Sequence, residues 1–344
     1  MKAALLPGDA TVEVVDRPDP TPGIHDVLIR VRASGLCASD LDLYHGTAIV
    51  GGENAGKGNV VPGHEAAGDV VAVGSEVHRI KVGDRVAVHL SVGCMSCEYC
   101  RAGYINQCPS WLCLGFDLDG GDAEYEVVPE VNCLVLPADL SYVAGALIVD
   151  NFGTQYHTQK RLGISGLGKT LIVGIGPMGA AAVLTAKARG AYVIAAEVLE
   201  NRLDQAKLLG ADEIINVADG NALDKILSLT GGRGVEAAID CSGVADGENL
   251  ALNAAAKHGR VGFVGECPKV TVSPSKQIIR KELTLFGCWV FPVFEYQEIV
   301  RFLLEHRVPL EQTVGEYYEL AKASDAFARF DQRLSGKKVM LIND

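Results

Sequence analysis

Thr170-Leu171-Ile172-Val173-Gly174-Ile175-Gly176-Pro177-Met178-Gly179 is the stretch on which the reading of this chain turns. An apolar run of strand length meets a turn of the form G-x-G-x-x-G, and residues 177–189 then carry helical spacing and composition. Tyr192-Val193-Ile194-Ala195-Ala196-Glu197 follows as a second apolar run that ends on an acid. In that order these elements form a dinucleotide-binding fingerprint. Gly174 permits the tight turn, Gly176 lets a pyrophosphate approach the backbone, and Gly179 lets helix and strand pack closely. Pro177 and Met178 belong to the same cofactor turn, at a helix N-terminus whose free N–H groups and dipole favour an anion. Glu197 is expected to accept hydrogen bonds from the adenosine ribose hydroxyls, which favours NAD over NADP. Arg202, five residues on, is read as packing on the adenine or facing solvent from its helix.

Working outward, the same alternation continues. A helix is expected at 200–209, and strands at 213–216, 235–240, 260–264 and 283–286. Six strands with intervening helices make a doubly wound parallel sheet, an α/β fold. Just upstream, Gly163-Ile164-Ser165-Gly166-Leu167-Gly168-Lys169-Thr170 matches G-x-x-x-x-G-K-[ST] letter for letter. A phosphate loop of that kind follows a strand and opens a helix. Here a helical stretch precedes it and a strand follows, so it reads as a plain turn. The first third of the chain has a different texture, with Gly and Pro punctuating short β-rich runs at 27–31, 68–73 and 85–88. It suggests a partly open barrel. A further helix is expected at 294–306 and a closing strand at 338–341.

Composition bounds the partners. With 344 residues the chain suits two domains, and 48% hydrophobic with 22% charged residues is ordinarily globular. A net charge of −12 argues against nucleic acid, which needs a basic face. The N-terminal apolar run is too short for a signal peptide, and no stretch approaches the roughly 20 residues of a membrane span. Ten cysteines are too sparse for a disulfide scaffold, and a reducing cytoplasm is the expected compartment.

Their clustering points to metal. Cys94-x2-Cys97-x2-Cys100-x7-Cys108 sets four thiolates on short loops, which suits tetrahedral zinc with no open position. An iron–sulfur run would need three residues before its last cysteine and a second cluster motif, and both are missing. A second constellation is spread out: Cys37 in Cys37-Ala38-Ser39-Asp40, His64-Glu65 in Gly63-His64-Glu65-Ala66-Ala67-Gly68, and Asp150 where the barrel texture ends. A catalytic zinc needs about three protein ligands and one exchangeable position.

Gly63-His64-Glu65-x2-Gly68-x5-Gly74-x2-Val77 resembles the zinc signature of the medium-chain zinc-dependent alcohol dehydrogenases, secondary-alcohol and polyol branch. The Cys37 box, the four-cysteine lobe and the turn at Gly174 stand in that family's order, and the resemblance covers essentially the whole chain. It implies a GroES-like β-rich catalytic domain at 1–150, a Rossmann NAD-binding domain at 151–288, and a return to the catalytic domain at 289–344. It also implies homodimers or homotetramers built through the edges of the Rossmann sheets. Carried over, Cys37, His64 and Asp150 would ligate a catalytic zinc, with Glu65 behind them or as an alternating fourth ligand. Ser39 would pass on the substrate proton, Asp40 would orient His64, and Thr154 would pack near the nicotinamide. The acid at Asp150 tilts the reading toward ketone formation. Many members carry a histidine five residues after the zinc cysteine to complete a proton relay; this chain has Asp42 there, and the route ends on that carboxylate or runs through water. The segment 47–59, with Gly51, Gly52, Gly56 and Gly58, is an unusual loop before the zinc histidine.

The expected activity is hydride transfer between a small-molecule alcohol and NAD. Rivals are a threonine-type amino-alcohol dehydrogenase with the same machinery, a zinc-free reductase on this fold, and an NAD-binding redox sensor with structural zinc only. Metal analysis of the purified protein separates the classes: two zincs per chain are expected, whereas one favours the sensor and none the reductase.

Overall fold

The computed structural model describes residues 1–47, 50, 59–333 and 337–343. Gly51, Gly52, Gly56 and Gly58 of the expected glycine-rich loop lie outside the described residues. Contacts divide the chain into two compact units. One comprises Met1–Gly153, Phe291–Glu298 and Val314–Asp344; the other comprises Thr154–Val290 and Ile299–Thr313.

The second unit is built on a six-stranded parallel sheet. Its order is Glu213–Asn216, Tyr192–Glu197, Lys169–Val173, Val235–Asp240, Ala255–Phe263 and Thr284–Gly287. The chain thus starts in the middle, winds one way and then the other, as a doubly wound sheet does. Burial on both faces explains the continuous apolar runs: Leu171, Ile172, Ile194, Ala195, Ala238 and Ile239 are all fully buried. The helix Pro177–Ala188 follows the first strand through the glycine turn. The segment 163–168 is the connection between the helix Gly153–Arg161 and the strand Lys169–Val173, so the phosphate-loop letters carry no helix behind them.

One difference concerns the C-terminal return. Residues 299–313 group with the second unit rather than forming an unbroken return at 289–344. The helix Tyr296–Glu305 buries Ile299 and Leu303, and its Phe302 ring meets Tyr156 edge-on at 5.1 Å with the Arg189 guanidinium 4.9 Å above it.

The first unit centres on a strongly curved sheet. Its order is Val314–Glu319, Lys338–Ile342, Asp26–Gly35, Ala66–Val73, Arg85–Val88 and Cys133–Val135, with Tyr125–Pro129 also paired to Asp26–Gly35. Register shifts interrupt the pairing of Asp26–Gly35 with Ala66–Val73, and such bulges bend strands. Val27, Ile29, Val31, Val70, Val86 and Val128 form the barrel core. Among the described residues no helix is long and apolar enough to cross a membrane.

Glu126 breaks the apolar pattern of that core. It is buried, and neither carboxylate oxygen meets a hydrogen-bond partner among the described residues. Burial first, then the charges of Asp122 and Asp119, hold its carboxyl well above 4.5. In the unfolded chain this group ionises above about pH 4.5, while the fold keeps its proton, so its contribution to stability is lost as pH rises from there toward the folded value. Glu126→Leu is therefore expected to stabilise the protein by about 1–3 kcal/mol near pH 8 and by less near pH 4. Urea unfolding at the two pH values measures this, and equal effects at both would contradict it.

Candidate active site and metal centres

The first site begins at a helix N-terminus. Cys37 stands in extended backbone just before the helix Ala38–Tyr44, and its N–H donates to Asp40 Oδ2 at 2.7 Å. The other oxygen of Asp40 lies 3.0 Å from His64 Nδ1. One fully buried carboxylate thus caps the helix and sets the ring of His64, leaving Nε2 as the nitrogen free to ligate. Asp150 Oδ2 lies 3.7 Å from Cys37 Sγ and 3.9 Å from His64 Nε2. Asp150 is carried on a π-helical turn, Ile148–Phe152, a wide turn often found at functional sites. One ligand atom each from Cys37, His64, Glu65 and Asp150 lies within 4.8 Å of the others. Burial works against a charged imidazole here, yet Asp40 and Cys37 raise His64 well above its usual range. A pocket of sulfur, nitrogen and carboxylate donors that draws positive charge fits zinc.

Behind these donors lies a feature the sequence reading missed. Lys338, on the closing strand, is completely buried and its Nζ meets Glu65 Oε1 at 2.5 Å. Burial alone would lower the Lys338 ammonium, but Glu65, Cys37 and Asp150 together outweigh it and raise the group. Burial pushes the Glu65 carboxyl up, and Lys338 opposes that shift. Asn151 Nδ2 donates to both Glu65 Oε1 (3.3 Å) and Asp150 Oδ2 (3.2 Å). Gly35 completes the cradle: a Cβ there would stand 2.6 Å from Glu65 Oε2 and 2.7 Å from Lys338 Cε. No spacing rule connects Lys338 to Glu65, because the signal is a tertiary contact across 273 residues. Asp122, also missed, lies under the turn that presents His64 and accepts from Ser34 Oγ; burial pushes its carboxyl up to about 7. Ser39 and Asp42 lie half-buried on the helix Ala38–Tyr44. Burial raises the Asp42 carboxyl, with His45 opposing and Asp40 adding to the shift.

The second cluster is the four-cysteine lobe. Backbone N–H groups of Cys97, Cys100, Cys94 and Ser110 lie 3.3–3.4 Å from the sulfurs of Cys94, Cys97, Cys108 and Cys108 respectively. All four sulfurs lie within 4.8 Å of one another. Gly93 leaves the room, since a Cβ there would stand 2.7 Å from Cys100 Sγ. Four converging sulfurs with N–H donors aimed at them suit a closed zinc site.

In the second unit, Gly174 has φ +83°, and a Cβ on Gly179 would fall 1.9 Å from the Gly174 carbonyl oxygen. Gly176 precedes the helix with Pro177 in its first turn. Thr154 is buried in the helix Gly153–Arg161. Glu197 is more enclosed than the sequence suggests. Its Oε2 accepts from Ile175 N–H at 2.8 Å, and its Oε1 from Val198 (2.7 Å) and Leu199 (3.2 Å). The acid therefore ties the glycine turn to the end of the second strand, a use that strand-end position alone did not reveal. Of the two expectations for Arg202, the structure departs from the solvent-facing one. Its guanidinium does not face solvent but turns back to within 3.7 Å of Glu197, beside Gly176, with the side chain 18% exposed.

Comparison with known proteins agrees with this arrangement. Residues 23–138 match the family model of the alcohol dehydrogenase GroES-like domain, and residues 177–305 match that of the zinc-binding dehydrogenases. An uncharacterized zinc-type alcohol dehydrogenase-like protein of Escherichia coli is 36% identical, covering 100% of this chain and 99% of that protein. Sorbitol dehydrogenase of Bacillus subtilis is 34% identical, over 96% of this chain and 93% of that one. L-threonine 3-dehydrogenase of Pyrococcus horikoshii is 33% identical, over 96% and 95%. Among solved structures, an NAD-dependent alcohol dehydrogenase superposes with a TM-score of 0.88 at 30% identity over 100% of both chains. Galactitol-1-phosphate dehydrogenase from Escherichia coli gives 0.90 at 28%, again over 100% of both.

The Glu65–Lys338 pair generates a test. Lys338→Met strands a buried carboxylate and is expected to cost about 3–5 kcal/mol, whereas Lys338→Met with Glu65→Leu should recover most of that loss. Urea unfolding of both variants checks it; additive losses in the double variant would show that the two residues act separately.

Proposed function

Since this chain belongs to the zinc-dependent medium-chain alcohol dehydrogenases, we propose that its Cys37–His64–Asp150 site oxidises a secondary alcohol or polyol to a ketone. The family makes it an NAD-linked zinc oxidoreductase acting on an alcohol. The observation that carries the site assignment is the carboxylate of Asp150 standing beside both Cys37 Sγ and His64 Nε2. Zinc held there supplies a Lewis acid that lowers the pKa of an alcohol hydroxyl, and NAD supplies the hydride acceptor.

The protein's own residues do the rest. Asp40 keeps Nδ1 of His64 engaged, so that Nε2 faces the donor set. Ser39 receives the hydroxyl proton from the alcohol. Asn151 and Lys338 hold Asp150 and Glu65 in register. Gly174, Gly176 and Gly179, with Pro177 and Met178, seat the pyrophosphate on the helix N-terminus. Glu197 places a negative charge at that turn, and a 2′-phosphate would bring roughly −1.5 to −2 charges toward it. Thr154 packs near the nicotinamide. Cys94, Cys97, Cys100 and Cys108 hold a zinc that does no chemistry.

We also infer a cytoplasmic homodimer or homotetramer. Ten cysteines with no disulfide suit a reducing compartment. Among the described residues the strand Thr284–Gly287 ends its sheet with no partner on its outer side and with Leu285 exposed, a template for a second copy. A threonine-type substrate is the second reading, favoured by full-length similarity to L-threonine 3-dehydrogenases.

A panel of short secondary alcohols, polyols and hydroxy-amino acids, read by absorbance of reduced cofactor, tests the substrate class. Turnover confined to primary alcohols would overturn it. Asp150→Asn should lower both zinc retention and kcat strongly, and Cys37→Ala and His64→Ala should be worse. NAD should be preferred to NADP by roughly ten- to hundredfold in kcat/KM, an advantage that shrinks in Glu197→Ser.

A further inference from the structure

Resting on the site assignment above, we propose that His89 is a positioning residue for the metal site: through the carbonyl and ring of Phe291 it fixes the π-helical turn that carries Asp150. All the residues concerned belong to the first unit except Val290, which adjoins Phe291 in the chain. His89 stands directly after the strand Arg85–Val88 and is fully buried. Nothing in its local sequence marks it, because its partner Phe291 lies 202 residues away.

The contacts of His89 fix both the origin and the protonation of its ring. The His89 N–H donates to the Asn132 carbonyl at 2.9 Å. The buried Asn132 amide donates back to the carbonyls of His89 (2.5 Å) and Ser91 (2.6 Å). On the side chain, Nδ1 accepts from the Ser91 N–H at 3.3 Å. Burial holds the imidazole below its usual range, so only one nitrogen carries a proton. A backbone N–H only donates and a carbonyl only accepts, so that proton sits on Nε2 and is donated to the Phe291 carbonyl at 3.0 Å. The two rings also meet edge-on, 4.9 Å apart at an interplanar angle of 82°.

Phe291 needs such a hold. Val290, the residue before it, has φ +51°, a left-handed conformation that a β-branched side chain rarely adopts. Strain of that kind persists only where neighbouring contacts over-determine it. From that backbone the fully buried Phe291 ring reaches Gly153, which ends the turn Ile148–Phe152. A Cβ on Gly153 would overlap Cδ1 and Cε1 of the ring and stand 2.5 Å from the Ile148 carbonyl oxygen, so the ring lies directly on the backbone of the turn. Asp150 is carried on that turn, with its carboxylate beside Cys37 Sγ and His64 Nε2. Ligand distances in a metal site are held to about ±0.2 Å, so a small displacement of the turn is felt at the metal. His89 acts there only through Phe291.

The test compares His89→Phe, which keeps a ring but has no donor, with His89→Gln, whose amide can still donate toward Phe291 and accept from Ser91. Zinc-loaded protein is dialysed against EDTA, with the zinc of the four-cysteine lobe as internal reference. The zinc at Cys37, His64 and Asp150 should leave His89→Phe about tenfold faster than wild type, while the lobe zinc leaves at the wild-type rate. His89→Gln should stand close to wild type. Phe291→Leu keeps the carbonyl but withdraws ring atoms from Gly153, and should also speed release from the first site alone. With cobalt(II) in that site, the d–d bands should shift in His89→Phe and return in His89→Gln. In an Asp150→Asn background His89→Phe should change release by less than about twofold, because the group it positions is already altered. Equal acceleration at both zinc sites, wild-type release from Phe291→Leu, or an undiminished His89→Phe effect in the Asp150→Asn background would each overturn the positioning role alone. A wild type that takes up only the lobe zinc overturns the site assignment and the positioning role together.

Discussion

Everything at the candidate metal site depends on one buried carboxylate, Asp40. Its two oxygens join segments that the sequence keeps apart: one accepts the Cys37 N–H at the start of a helix, the other holds the ring of His64. A carboxylate at a helix N-terminus is already favoured by the free N–H groups and the dipole. The same group leaves Nε2 of His64 facing Asp150, so the short helix and the ring that would ligate a metal are set together. The cost of burying the charge is offset only while both partners are in place.

The same logic recurs one layer back. Glu65 follows His64 directly and is itself fully buried, so an acid enters the interior beside the histidine. That acid is tolerable because Lys338 arrives from the closing strand and Asn151 from the π-helical turn. The C-terminal strand is therefore more than an edge of the barrel: it brings the cation that neutralises the floor of the site. Gly35 is the corresponding steric concession, left without a side chain so that Glu65 and Lys338 can meet.

The nucleotide turn is organised by comparable means in the other unit. Glu197 accepts from the backbone N–H groups of Ile175, Val198 and Leu199, so the glycine turn is braced from behind by a buried acid. Arg202 balances that charge. The turn therefore carries two opposite charges side by side.

What the sequence determined by itself was everything governed by local spacing. The strand–glycine–helix–strand run around Gly174, the alternation of strands and helices that follows it, and the cysteines at 94, 97, 100 and 108 are short-range patterns, because backbone conformation and ligand reach act over a few residues. Cys37, His64 and Asp150 were legible only through a family resemblance, since nothing in their separation brings them together. Tertiary structure alone decided the partnership of Glu65 with Lys338, the burial of Asp122 and Glu126, the inward turn of Arg202, and the grouping of residues 299–313 with the nucleotide-binding unit. Each of these is an electrostatic or packing contact between segments distant in the chain, and its sign depends on burial. Burial is a property of the assembled core, which no residue carries in its letter.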